Sequence, residues 1–363
     1  MRLITISSLF LFAAGSIAAA QTPPAQAGKA AKDSKEPKAK DTVLAKFFRD
    51  ETPITATLTT NINKVRGDKN AETSPWRTAR LTFTGPDTAH GTIPLRIKTR
   101  GIWRLKNCQF PPLRLNFAGD STKGTPFHSL DKPKLVSFCR DEDTYEQYLL
   151  QEFQAYRIYR LLTPASHAVR LLRLTYTDSA SGKVFATRYA FMEEEPQALA
   201  DRTQAKGIKI TGAGPGDLEP FQSALVGVFQ YMIGNTDWAI SALHNAELLQ
   251  MMNGDYLPVP YDFDFAGVVN ARYATVDPRL RLRTVRDRLY RGYCVPVEQY
   301  PKVFALFNAK KDSIYALYRD PLGKLLKKDI ADETLQYFDE FYKVINEPRS
   351  AKMYIIEGCL GRK

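Results

Sequence analysis

The chain has 363 residues, with 51 Lys and Arg against 39 Asp and Glu, a formal net charge of +12, and 44% hydrophobic and 11% aromatic residues. That apolar content can fill the core of one two-lobed unit or two domains over Phe47 to Lys363, and the positive excess favours acidic or phosphorylated partners without naming them. No run after residue 20 is long and apolar enough to span a bilayer, and the four scattered His and four Cys fit no zinc motif.

Residues 1–20 have the layout of an export signal: Met1-Arg2 as the charged start, a short apolar run from Leu3 to Ala14, and Ala18-Ala19-Ala20 before Gln21 as the cleavage site. The mature protein is therefore expected outside the inner membrane, periplasmic or extracellular. Residues 21–46, rich in Ala, Pro and Lys, read as a disordered linker, because they cannot bury enough surface to offset their ordering entropy. In an oxidising compartment Cys108, Cys139, Cys294 and Cys359 suggest two bridges with three possible connectivities. Cys108 with Cys139 and Cys294 with Cys359 keeps each bridge within one half of the chain.

The first half reads as an antiparallel sheet. Ile54 to Ile62, Arg80 to Thr84, Ile93 to Thr99 and Leu113 to Phe117 alternate polar and apolar residues between Gly-Pro and Gly-Asp turns. Arg100-Gly101-Ile102-Trp103-Arg104 is expected at a hairpin tip, where backbone N–H groups and guanidinium forks can approach phosphate oxygens; a plain turn is the alternative. Lys134 to Phe138 is a further strand. A helix with an Asp-rich cap at Asp141 to Asp143 then runs to Pro164, with Glu152 near its middle. A strand Lys paired with a Glu on the next helix would position a nucleotide phosphate; alternatively Glu152 and Arg157 are solvent-face charges. Val169 to Thr177 and Val184 to Phe191 are two more strands, followed by Glu193-Glu194-Glu195 and a polar crossing segment. Thr211 to Gly216 lacks the Lys and Ser/Thr of a phosphate loop and reads as a connection.

The second half is helical around an acidic centre. Phe221, Leu225, Phe229, Met232 and Ile233 repeat at helical spacing and lead into Gly234-Asn235-Thr236-Asp237-Trp238, with His244-Asn245 beyond. Tyr256 to Tyr261 then delivers Asp262 and Asp264. If that stretch is extended, the two carboxylates share a face, an arrangement that calls for a hard divalent cation between them. The plain alternative has Asp237 and Asn245 capping helices and the two later Asp on a loop. Six Arg crowd between Arg279 and Arg291, and the alternation of Arg279, Arg281 and Arg283 suggests one basic edge, with a solvated face as the alternative. With no aromatic residues interleaved, nucleic acid is not favoured as a partner. Pro296 to Tyr318 and Asp332 to Ile345 close the chain as helices.

In chain order the parts follow an α+β, protein-kinase-like two-lobed fold, with an antiparallel-sheet N-lobe over 47–215 and a mostly helical C-lobe over 216–363. The chain resembles the spore-coat CotH family of atypical kinases, and more distantly the HipA-type kinases. The resemblance is carried by Arg100-Gly101 with Pro111 to Phe117, Lys134 to Phe138 with its helix, Asn235-Thr236-Asp237-Trp238 with Asn245, and Pro260-Tyr261-Asp262-Phe263-Asp264. It implies transfer of a phosphoryl or nucleotidyl group from ATP or another nucleotide, with Mg2+ or Mn2+, to a protein or glycan hydroxyl. Asp237 would be the base, Asn245, Asp262 and Asp264 the metal ligands, and Arg100, Arg114, Lys134 and Glu152 the nucleotide contacts. Two other readings stand beside it: an inactive module of the same shape that holds an anionic envelope polymer through Arg100 and Arg279 to Arg291, and metal-dependent hydrolysis at the same carboxylates.

Overall fold

A computed structural model of the protein describes residues 43–85 and 90–361. The expected export signal, and the expected linker up to residue 42, lie outside the described residues. Seven strands form a closed barrel: β1 (Ile54–Thr60), β2 (Arg77–Thr84), β3 (His90–Thr99), β4 (Leu113–Phe117), β5 (Lys134–Val136), β6 (Val169–Asp178) and β7 (Val184–Glu193), in the order β1-β2-β3-β4-β5-β7-β6. Neighbours are antiparallel around the ring. The exception is β1 with β6, which run parallel from Ile54 opposite Leu172 to Thr60 opposite Asp178 and so close the barrel.

This closure overturns the expected protein-kinase-like two-lobed fold, whose sheet is open and antiparallel. The sheet here is mixed and has no free edge. Alternation correctly reports which face of β1 to β4 is buried, but it carries no information on which strand lies along each edge. Ile54, Ala56 and Leu58 of β1, Ala79, Leu81 and Phe83 of β2, and Ile93, Leu95 and Ile97 of β3 all point inward to one apolar core with Phe110, Phe127 and Phe138. A barrel of about this strand number has an interior that side chains alone can fill.

Nine helices occur among the described residues. α1 (Lys46–Arg49) and α2 (Ile62–Gly67) flank β1, and α3 (Trp103–Asn107) lies in the β3–β4 connection. α4 (Asp143–Leu162) follows β5, α5 (Pro196–Arg202) follows β7, and then come α6 (Pro220–Ile233), α7 (Gln299–Ala316), α8 (Lys328–Asn346) and α9 (Pro348–Ala351). A second sheet, ordered β10-β9-β8, is made of β8 (Lys206–Ile208), β9 (Ala246–Gln250) and β10 (Tyr256–Pro260).

The two cores meet through strands buried on both faces. Leu172 and Leu174 of β6 point into the barrel, while Val169 and Leu171 point out. Ala190 and Met192 of β7 face in and Phe191 faces out; Leu135 and Val136 of β5 divide in the same way. The outward residues pack with Leu149, Phe153 and Tyr156 of α4, which carry the helical core of α6, α7 and α8 behind them. The acids expected to cap α4 do other work: Asp141 and Asp143 each hold Arg188 at 2.6 Å.

No helix among the described residues is long and apolar enough to cross a membrane. The bridges are Cys108–Cys139 and Cys294–Cys359, the pairing that keeps each within one half of the chain, and two such bridges fit an exported protein. Cys108–Cys139 spans 31 residues and ties the end of α3 to the exit of β5. Replacing Cys108 and Cys139 by Ser is expected to lower stability by about 3 kcal/mol, read as a fall in the urea midpoint, with wild type and variant unfolding together once both are reduced.

Candidate functional site

The end of α6 sets the position of the site. Gly234 terminates the helix with φ +68°, and a Cβ there would meet the Tyr337 hydroxyl. The chain beyond is fastened to the segment after β10 by two backbone hydrogen bonds: the Gly267 N–H donates to the Gly234 carbonyl, and the Val268 N–H to the Ile233 carbonyl. A third, from the Tyr261 N–H to the Asn245 carbonyl, joins the two stretches again nearer the acids. Asp237, Asn245, Asp262 and Asp264 therefore belong to two loops that cannot move independently.

All four line a single cleft of about 550 Å³, together with Arg100 and Glu152. Asp237 accepts from His244 Nε2 at 2.8 Å on one oxygen and from the Asn245 amide at 3.1 Å on the other. Asn245 also donates to the Asp237 carbonyl, and the Asn235 side chain takes the Asp237 N–H. Three non-glycine residues at this place have left-handed backbone: Leu243 (φ +49°), Asn245 (φ +50°) and Asp262 (φ +61°). Such conformations cost on the order of 1 kcal/mol or more each and concentrate at functional sites. The Asp262 N–H is held by the Tyr156 hydroxyl at 2.9 Å, which fixes that strained residue from α4.

The reason expected for the pairing of Asp262 and Asp264 does not hold. β10 ends at Pro260, and the two carboxylates reach the same cleft from a loop rather than from one face of a strand. The segment Arg100 to Arg104 is likewise no hairpin tip. It leads into α3, and α3 swings Arg104 inward instead of presenting it to solvent. Arg104 lies 3.5 Å from Glu152 and 4.0 Å from Asp264, with its guanidinium also donating to the Ser137 carbonyl. Burial works against its charge, but Tyr273, Glu152, Asp264 and Asp262 more than offset that and hold it above the usual guanidinium value. Burial, and after it the neighbouring carboxylates, push Glu152 and Asp264 up despite Arg104; the Tyr273 hydroxyl donates to Asp264 at 3.1 Å.

The expected Lys134–Glu152 pair is absent, and neither Glu152 nor Arg157 is a solvent-face charge. Lys134 is buried and bonds Glu193 at 2.5 Å, with Glu247 at 3.8 Å and the Tyr261 ring beneath it at 4.4 Å. Arg157 is buried and paired with Glu51 and Asp320. Lys134 and Arg114 line a neighbouring cavity of about 670 Å³, which shares Arg100, Leu243 and Tyr261 with the cleft. Arg100 and Arg114 have no ion-pair partner within 4.0 Å among the described residues. Arg279, Arg281 and Arg283, the alternating three expected to form a basic edge, are all exposed, with Arg279 paired to Asp277, whereas Arg288 lies over the Tyr337 ring and Arg291 donates to the Thr236 carbonyl.

Several contacts at the site have no counterpart in the local sequence. Arg104 and Tyr156 carry no local signal, because their partners lie far along the chain. His244 stands beside Asn245 in the sequence, but nothing local there signals its bond to Asp237. His167 is fully buried beside Glu247 (3.4 Å) and Glu193 (3.9 Å), in the wall between the two cavities.

Among the described residues no group of three or more His, Cys, Asp or Glu has metal-holding geometry. The donor set, two carboxylates and an amide oxygen, fits a hard cation that keeps waters and arrives with phosphate oxygens. Buried Asp264, repelled by the half-buried Asp262 beside it, is the feature that such a cation would relieve. No protein-family model matches the chain, and no curated protein matches it.

Two predictions come from these charges. Arg104→Ala leaves Glu152 and Asp264 buried without their cation and is expected to cost about 3–5 kcal/mol, measured by denaturant unfolding; a fall under 1 kcal/mol would show that water replaces the guanidinium without loss. For His167, burial lowers the proton affinity, but Glu247 and then Glu193 raise it above the ordinary 6.5 overall. Its contribution is therefore complete below pH 6.5 and is lost as pH rises through the higher folded value. The melting temperature is expected to fall as pH is raised from about 6 to about 9, and that fall to shrink in His167→Gln.

Proposed function

We propose that the cleft binds a nucleotide with its divalent cation and transfers a phosphoryl group to a hydroxyl of an acceptor. The observation that carries this reading is the convergence of Asp237, Asn245, Asp262 and Asp264, from two tethered loops, on one cleft with a cation-lined cavity beside it. A carboxylate set apart from a close carboxylate pair is the division of labour phosphoryl transfer needs, one to receive a proton and two to meet a metal. The motif resemblance to the CotH-like kinases supports the same assignment for the site. It does not extend to the fold, and function is a property of the site.

In this reading Asp262, Asp264 and the Asn245 amide oxygen hold Mg2+ or Mn2+, which when bound supplies charge neutralisation for the phosphate oxygens. Arg100, shared by both cavities and without an ion-pair partner within 4.0 Å among the described residues, meets the phosphates. The base and sugar lie in the larger cavity against Leu248 and Tyr261, with Arg114 nearby. Asp237 receives the proton of the acceptor hydroxyl as its oxygen forms the bond to phosphorus and the bond to the nucleotide oxygen breaks. His244 and Asn245 keep that carboxylate oriented. Glu152 serves the site through Arg104 rather than by touching the nucleotide.

The donor is ATP or another nucleotide, and the location is periplasmic or extracellular. A thermal-shift titration with ATP and Mg2+ or Mn2+ tests the reading. The melting temperature is expected to rise in the wild type only when nucleotide and metal are both present, and Asp262→Asn to abolish the rise, since a ligand that binds the native state alone must stabilise it. Asp237→Asn is expected to retain the shift and to lose turnover by at least about a hundredfold. A protein that ignores nucleotide up to millimolar levels, yet binds anionic polymers with affinity that falls with salt, would be the inactive module instead.

A further inference from the structure

The mouth of the cleft has a feature that nucleotide binding does not use. Trp103, the first residue of α3, is 38% exposed, and Ile102 before it is 79% exposed; both line the cleft. The indole is stacked on Tyr273 with ring centroids 4.9 Å apart and planes 29° apart, and meets Phe265 edge-on at 5.7 Å. Tyr273 is backed in turn by Tyr145, 6.1 Å away and tilted by 21°. Phe265 and Tyr273 of the segment after β10, with Tyr145 of α4 behind Tyr273, thus brace the indole, and the Cys108–Cys139 bridge at the end of α3 fixes its backbone. The remaining indole surface stands open as a rigid platform. Opposite in character, and also exposed at the mouth, are Asp237 and His244, with side chains 41% and 53% accessible.

We infer that the acceptor is a carbohydrate, a pyranose ring whose C–H face lies on Trp103 while its hydroxyls face the Asp237 side of the cleft. This rests on the reading of the cleft as a site of hydroxyl phosphorylation. An aromatic face carries negative charge density and attracts the polarised C–H bonds of a sugar, whose hydroxyls lie at its edges. A pyranose therefore matches both walls at once. A Ser or Thr side chain offers a hydroxyl with no flat apolar face to cover the indole. The cleft volume of about 550 Å³ accommodates such a ring with the transferred phosphate.

The test is a titration of the full-length, disulfide-intact protein with cellotetraose and N-acetylchitotetraose, without nucleotide or metal, followed by intrinsic Trp fluorescence and calorimetry. Saturable binding of at least one sugar is expected. Trp103→Ala should weaken it about tenfold or more, and Trp103→Phe, which keeps a flat ring, by no more than about threefold. Asp262→Asn should bind sugar as the wild type does while losing the nucleotide-dependent thermal shift, and Trp103→Ala should show the converse. That double dissociation separates the two proposals: a wild type with no nucleotide shift sinks the phosphotransferase reading and leaves the sugar result standing. The carbohydrate inference is overturned if neither tetrasaccharide binds at about 20 mM, or if Trp103→Ala binds sugar unchanged. It is equally overturned if Trp103→Ala loses the nucleotide shift instead, which would make the indole a nucleobase platform.

Discussion

One buried guanidinium holds the candidate site together. Glu152 on α4 and Asp264 on the loop after β10 would repel each other across the cleft floor, and Arg104 lies within 4.0 Å of both. Removing two acids and a cation from water is costly, and their mutual attraction offsets that cost only when the geometry is fixed. Here it is fixed three ways. The guanidinium also reaches the Ser137 carbonyl beyond β5, the bridge at Cys108 pins α3, and Tyr273 donates to Asp264 from the far side. The barrel, the long helix and the acidic loop are therefore positioned against one another by the same few charges that shape the cleft.

A second group of charges does similar work in the wall between the cavities. Lys134, Glu193, His167 and Glu247 link β5 and β7 of the barrel to β9 of the small sheet. Lys134 is thus engaged in holding the two sheets together, while Arg100 and Arg114, which line the same cavity, have no ion-pair partner within 4.0 Å among the described residues. A lysine read from its strand position alone would be given the wrong partner.

β1 to β4 were legible in the sequence because they alternate, and the boundaries of β4, β6 and β7 fall within two residues of those expected. The long helices were legible for the same reason at a different period. β8 and β9 were not: Lys-Gly-Ile is three residues long, and Ala-Glu-Leu-Leu-Gln has the composition of a helix, so tertiary pairing overrides local preference there. Closure of the barrel was invisible because it depends on which edges meet. At the site, Asp237, Asn245, Asp262 and Asp264 were legible as chemistry that apolar segments deliver to one place. What was not legible was the geometry, since left-handed turns at Asn245 and Asp262 leave no mark that distinguishes them from an ordinary loop.

The parallel pairing of β1 with β6 bears on how the chain reaches this state. Ile54 finds its neighbour only at Leu172, so the ring cannot close until most of the barrel sequence is present and α4 has formed between them. Contacts this distant in sequence slow folding, because the entropy of bringing the ends together is lost before the pairing returns it. Until that moment β1 and β6 each carry an unpaired strand edge, the surface on which one chain most readily joins another. The same seam that leaves the finished barrel without an edge makes its assembly the step most exposed to misfolding.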